Sequence, residues 1–361
     1  MNRLMNSVLL VGPLPNPVTG QSIAFQQVCE NLNLRKFVIN TSVYSNRYFN
    51  TLNTVVRIAI VFLFKDFQTV YFTCSRTRMG CVKDLFLLLC CRLYGKKVVN
   101  HLHGADFNDF VQNSGFLKFF IIHAYKWVNA SIVLLDEMKD QFSLFPHMQT
   151  FTVGNSYTDA FDIDVSVGNK PYTILYLSNI MATKGIIEFL LAAETVLSRN
   201  ADVNYQIAGA FLTDEEETAY SINKRFNAEL SRIQERFGKD RISYIGTVRG
   251  SVKVDYFTKS SIFILPTYYK TEAFPITLIE AMRTGNAIIS TKHNYIPEII
   301  SSKSGLLVNK RSVLELVDAQ QYLISDVELL VSMQRFNIGF AKNNFSQKVY
   351  LERIADILVN I

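Results

Sequence analysis

Two carboxylates eight positions apart, Glu272 and Glu280, are the residues of this chain best spaced for chemistry. A carboxylate accepts hydrogen bonds through two oxygens and suits a pair of neighbouring hydroxyls. A bare pair at this spacing is common, and solvated acids on a surface helix look alike, so the flanks decide. Before the pair, Ile262-Phe263-Ile264-Leu265 is a short apolar run stopped by Pro266, which reads as a buried strand. Pro275 stands where a helix would begin and Gly285 just past its end. Ala287-Ile288-Ile289 then reads as the next strand. The unit is strand, loop, short helix, strand. It sets Glu272 at a strand's carboxyl edge, where open α/β sheets bind ligands, and Glu280 a turn inside the helix.

Other reactive residues are sparser. His101 and His103 share one face of a strand if it continues that far. An H-x-H pair can bind metal, but no third ligand is evident and no metal site is expected. A cation, Lys184-Gly185, follows the apolar run Thr173-Ile174-Leu175-Tyr176-Leu177. The loop Val11 to Ser22 holds three prolines and two glycines, which makes it rigid and non-helical. The dinucleotide fingerprint G-x-G-x-x-G is absent from it, which counts against a dehydrogenase.

The elements that must position these groups alternate along the chain. Strands are expected near Ser7–Val11, Thr69–Cys74, Lys97–Leu102, Ser131–Leu135 and Phe151–Val153. A second set falls near Tyr172–Leu177, Asn204–Ala208, Ile242–Ile245, Ile262–Leu265, Ala287–Ser290 and Leu306–Val308. Helix-length segments separate them, which predicts an α/β protein with a parallel sheet built twice. The 361 residues suit two domains, and 49% hydrophobic with 19% charged residues excludes disorder. No apolar run reaches membrane-spanning length, and the start carries no signal-peptide pattern, so a cytosolic protein is expected. The five cysteines (Cys29, Cys74, Cys81, Cys90, Cys91) show no C-x-x-C spacing and read as reduced thiols. Residues 1–170 hold 16 basic against 11 acidic residues, which places most of the +6 net charge in the first half. No nucleic-acid motif accompanies that charge, and an anionic bilayer or a lipid-diphosphate acceptor suits it better. Residues 54–68 and 116–127 mix apolar bulk with Arg57, Lys65, Lys118 and Lys126. They read equally as core-facing helices or as helices resting on a membrane.

Pro266-Thr267, Glu272-Ala273-Phe274-Pro275, Glu280-Ala281-Met282, Gly285 and Ile289-Ser290-Thr291 together resemble the E-x7-E signature of retaining GT-B glycosyltransferases, most closely glycosyltransferase family 4. Further matches are His103-Gly104 with Asp106, Asn155 ahead of Phe161, Lys184-Gly185, and Asn294-Tyr295-Ile296-Pro297-Glu298-Ile299. The likeness is strong from Leu177 to Leu307, moderate over 99–107 and weak over the first 60 residues. One departure is chemical: the family's diphosphate-binding Arg is Asn179 here, which can donate hydrogen bonds but supplies no charge. Arg249 is a candidate replacement. Asp162-Ile163-Asp164 is formally the D-x-D metal motif of the other large glycosyltransferase fold, but it sits in a polar stretch read as a linker.

The resemblance implies two Rossmann-like domains facing across a cleft: an acceptor domain over 1–165 and a donor domain over 172–344. A helix over 345–361 returns to the first domain. It implies transfer of a hexose-type sugar, with retention, from a UDP- or GDP-linked donor to a hydroxyl of a lipid-linked glycan. The setting would be bacterial lipopolysaccharide, capsule or exopolysaccharide assembly at the inner membrane face. Glu272 would take the donor-sugar hydroxyls and Glu280 the ribose diol. Lys184, Asn179 and the helix entered through Phe274, Pro275, Ile276, Thr277 and Leu278 would hold the diphosphate. His103 would face the sugar and Gly20 the phosphates. No cofactor or metal is expected, since lysine and helix amides supply the electrostatics. Two rival readings stand: another GT-B activity such as a nucleotide-sugar epimerase, and a non-catalytic membrane-associated scaffold.

Overall fold

The computed structural model describes residues 7–15, 19–168, 172–199 and 202–361. The chain divides into two compact units, residues 1–156 with 347–361, and residues 157–346.

In the first unit, short β-rich runs alternate with helices. The strands are β1 (Ser7–Gly12), β2 (Arg35–Asn40), β3 (Thr69–Thr73), β4 (Lys97–His101), β5 (Ala130–Val133) and β6 (Gln149–Thr152). The helices are α1 (Gly20–Asn31), α2 (Arg47–Phe64), α3 (Arg78–Leu93), α4 (Phe107–Gln112) and α5 (Leu117–Tyr125). All pairings are parallel, in the order β2-β1-β3-β4-β5-β6. The edge strand β2 is absent from the sequence reading. Only Ile39 in it is fully buried, so it lacks the continuous apolar run that marks a central strand. Of the proline-rich loop after β1, residues 16–18 lie outside those described. Beyond them the Thr19 side chain accepts from the Ser22 amide and starts α1.

The second unit repeats the plan with β7 (Thr173–Leu177), β8 (Asn204–Ala208), β9 (Ile242–Tyr244), β10 (Ile262–Leu265), β11 (Ala287–Thr291) and β12 (Gly305–Val308). Its helices are α6 (Ile186–Leu197), α7 (Ala219–Phe237), α8 (Gly250–Lys259), α9 (Ile276–Arg283), α10 (Ile296–Ile299), α11 (Val313–Ser325) and α12 (Val327–Phe345). The strand order is β12-β11-β10-β7-β8-β9, again all parallel. Strands buried on both faces need apolar residues throughout, and β7 and β10 are buried at every position.

The last helix, α13 (Gln347–Asn360), belongs to the first unit. Its Tyr350, Ile354, Ile357 and Leu358 join the core of Val8, Leu10, Phe25, Val99 and Ile132. The polar stretch read as a linker is held within the second unit as far as residue 168. Arg283 donates to Asp162 at 2.8 Å, and the Phe161 ring lies edge-on to Phe257 at 5.8 Å. Residues 169–171 lie outside those described. The five cysteines are free; burial pushes the Cys29, Cys74 and Cys81 thiols up to about 12.

Candidate active site

Strand order decides where a ligand can sit in each unit. In the second sheet the connections run one way from β7 through β8 to β9, and the other way from β10 through β11 to β12. The loops leaving β7 and β10 therefore part company at their carboxyl ends and leave a crevice, the usual ligand position in open α/β sheets. Those two loops carry Lys184 and Glu272.

Lys184 closes a single 3-10 turn, Ala182–Lys184, that leaves β7. Asp214 pins the turn by accepting from the Thr183 amide and hydroxyl, both at 2.8 Å. Burial works against the Asp214 carboxylate, but those bonds and the Glu216 and Glu217 amides outweigh it and hold its pKa low. Gly185 then takes φ +74°, and a Cβ there would lie 2.2 Å from the Pro266 carbonyl oxygen. Only glycine lets the turn press this closely on the end of β10. The Tyr268 amide donates to Thr183 O at 2.7 Å and ties the two loops together.

Across that seam the Lys184 ammonium is ion-paired with the Glu272 carboxylate, both side chains about one-tenth exposed. The Tyr269 ring lies 5.1 Å from the ammonium. Thr267 Oγ1 donates to Glu272 Oε2 at 3.4 Å. Pro275 then caps α9 with extended backbone, as its fixed φ allows. The Leu278 amide donates to Pro275 O at 3.1 Å, while Ile276 and Thr277, partly exposed, occupy the first turn. Phe274 is buried edge-on against Phe345 at 5.5 Å. Glu280, a turn further on, is 4% exposed and paired with Lys253 of α8, whose ammonium donates to Oε1 at 2.7 Å and lies 2.6 Å from Oε2.

Asn179 is exposed after β7 and uses its carbonyl to accept from the Tyr176 hydroxyl at 3.4 Å. Arg249, the other residue considered for the missing charge, caps α8 and is exposed. Sequence reasoning missed Lys253, four residues beyond it. The available signal was its position on a helix that reaches the E-x7-E helix, which only the fold reveals. It missed His293 as well, and took Asn294 only as part of a family match with no role of its own; both contact the loop bearing Glu272.

The first unit holds the remaining two. Gly20 is the exposed first residue of α1. His103 follows β4, with both ring nitrogens covered by protein and its ring 4.0 Å from that of His101. Burial pushes the His103 imidazole down to about 3; the Arg76 charge adds to this and the Asn155 side chain partly offsets it. His101 is fully buried, its Nδ1 2.6 Å from the Tyr71 hydroxyl. Arg76 lies against Gly104 and pairs with Asp106, so the His-Gly loop is gripped at both ends.

Residues 160–337 match the family model described as glycosyl transferases group 1. The second unit is a group 1 glycosyl transferase domain. Among curated proteins, this chain is 28% identical over 144 residues to the gpi3 subunit of phosphatidylinositol N-acetylglucosaminyltransferase from Schizosaccharomyces pombe. That match covers 39% of the chain and spans only 28% of the relative's length. Among solved structures, sucrose-phosphate synthase from Thermosynechococcus elongatus superposes with TM-score 0.70 at 14% identity, covering 98% of each chain. Anabaena HepE, in complex with UDP, superposes with TM-score 0.72 at 12% identity, covering 98% of this chain and 100% of that one. At these identities the structural likeness establishes the GT-B fold. The glycosyl transferase domain supplies the residues from Lys184 to Glu280 in a single unit.

Proposed function

We propose that the protein transfers a hexose-type sugar, with retention, from a UDP- or GDP-linked donor to a hydroxyl of a lipid-linked glycan. The Lys184–Glu272 pair at the β7/β10 crevice carries this reading. One cation for a diphosphate and one acceptor for sugar hydroxyls stand side by side, next to a helix start. On this reading Glu280 takes the ribose diol and Asn179 donates to the diphosphate. Gly20 and His103 keep their implied donor-facing roles in the first unit. The bond from the anomeric carbon to the diphosphate oxygen breaks as the acceptor oxygen bonds from the same face. The acceptor's proton passes to the departing diphosphate. Retaining glycosidases use a second carboxylate as nucleophile; here Glu280 is committed to ribose and does not serve so. No metal enters this scheme, because Lys184 and the α9 amides oppose the developing charge. The UDP held by HepE supports a uridine donor, and the phosphatidylinositol acceptor named for the gpi3 protein supports a lipid-linked one.

The same proposal places the protein at the cytoplasmic face of an anionic membrane. No described helix is long and apolar enough to cross one. Instead, α2 exposes Tyr48, Leu52, Val56, Ile60 and Leu63 at helical spacing, with Phe64 75% exposed. Phe116 and Phe119, at the start of α5, are exposed too. Such a stripe flanked by Arg47 and Lys65 suits the interface between headgroups and acyl chains.

Thermal unfolding with millimolar UDP, GDP, UDP-glucose, UDP-N-acetylglucosamine and GDP-mannose tests the donor assignment. One nucleotide series should raise Tm by several degrees through binding to the folded state. No shift with any of them would overturn the proposal. Conversion of a donor sugar with no acceptor present would mark an epimerase instead.

A further inference from the structure

The end of β11 runs beside the loop that carries Glu272 and continues to bond it after the sheet has stopped. In register, Leu265 pairs with Ser290, the last paired positions of β10 and β11. Beyond this point side chains take over from backbone. Ser290 Oγ donates to Leu265 O at 2.7 Å, and the Thr291 hydroxyl donates to Thr267 O. His293 Nε2 meets Tyr269 O at 2.8 Å, and a carbonyl can only accept, so Nε2 carries the proton. Asn294 Nδ2 then donates to Lys270 O and Glu272 O, both at 2.9 Å. Five carbonyls between Leu265 and Glu272 are held this way.

Asn294 does so from a left-handed backbone, φ +45°. Asn tolerates that conformation better than most side chains, and an exposed residue held there needs a reason. The two bonds to the Glu272 loop supply it. Glycine at this position would keep the backbone and lose both bonds.

We infer that His293 and Asn294 are positioning residues for Glu272: they fix the loop so that its carboxylate meets Lys184 and a donor sugar together. This rests on the donor-site reading above. An unheld loop would let the carboxylate wander by an ångström or more, which costs turnover far more than nucleotide affinity. The nucleotide has its own anchor, Glu280 on α9.

The loop's order can be measured without any ligand. Amide exchange over residues 266–273 should accelerate about tenfold in Asn294→Gly and Asn294→Asp, with exchange in β7 and α9 unchanged. His293→Leu should do the same, and His293→Gln, which keeps an N–H near Tyr269 O, should restore slow exchange. If Asn294→Asp is too unstable to purify, Asn294→Gly, which suits the backbone, decides alone. Unchanged exchange in the glycine variant overturns the inference. The second arm uses whichever donor stabilises the wild type. In Asn294→Gly, kcat should fall about tenfold or more while the Kd for the free nucleoside diphosphate stays within about twofold. Faster exchange with unchanged kcat would make the contacts merely structural and also overturn the inference. If no donor binds the wild type, the donor-site reading fails, and the exchange experiment still decides whether these residues hold the loop.

Discussion

Lys253 donates to Glu280 at 2.7 Å from the helix that precedes β10, so the second glutamate of the pair has its own cation, separate from the one on Glu272. The two carboxylates thus belong to two separate ion pairs, Glu272 on the loop after β10 with Lys184 and Glu280 on α9 with Lys253 of α8. The Lys253 ammonium reaches both Glu280 oxygens and so fixes the carboxylate's rotamer; on the proposed reading the remaining lone pairs take the ribose diol.

Lys253→Ala should accordingly lose nucleotide affinity by about tenfold and destabilise the protein by about 3 kcal/mol, because it strands a buried carboxylate. Lys253→Met removes the charge but keeps the bulk over the Phe161 ring, and should share the affinity loss. Calorimetric titration with UDP and GDP, alongside urea unfolding, checks both. Unchanged affinity in both variants would remove Glu280 from the nucleotide site.

Glu272→Ala and Lys184→Ala should each cut turnover by well over tenfold while circular dichroism stays native. The double variant should lose less than the two single losses combined, since each single change leaves the other partner's charge unanswered. Near-normal transfer by either single variant would refute the donor-site assignment.

Gly185→Ala tests the seam between the two loops. A Cβ 2.2 Å from the Pro266 carbonyl oxygen, on a residue at φ +74°, forces the Lys184 turn away from β10. The expected cost is about 2–4 kcal/mol, read as a lowered urea midpoint with an unchanged m-value. Unaltered stability would mean that the turn is free to shift.

Protonation should weaken the first unit as pH falls. His103 is held down to about 3 and His101 is shifted the same way, both first of all by burial. The unfolded chain takes up protons near the ordinary 6.5 and the folded chain does not. Stability is therefore full above 6.5 and declines from there towards 3, by up to about 1.4 kcal/mol per pH unit for each histidine. His103→Gln should flatten the slope of unfolding free energy between pH 6.5 and 4.5. A variant with the wild-type slope would rule out this burial effect.

Placing charge on the α2 stripe tests the membrane assignment. Leu63→Asp with Phe64→Asp should reduce co-sedimentation with phosphatidylserine-containing vesicles at least about fivefold, with stability unchanged because both residues are exposed. Equal sedimentation would refute the proposed surface.

The sequence by itself determined those features that depend on near neighbours along the chain. The apolar bursts at 262–265 and 287–290 had to be strands, and Pro275 had to begin the helix carrying Glu280. Lys184 was legible through resemblance, because Lys184-Gly185 after an apolar strand matches the family's diphosphate-binding loop. The tertiary structure alone decided what depends on partners far along the chain. Strand β2 pairs with β1 although its own residues are half-buried, and α13 completes a core begun some 340 residues earlier. Lys253 met Glu280, and Asn294 met the Glu272 loop, only once β10 and β11 lay side by side. Whether the α2 stripe faced a core or the outside was equally open in one dimension, since both choices write the same periodic pattern. Local propensity chooses elements, but register and strand order choose which side chains meet.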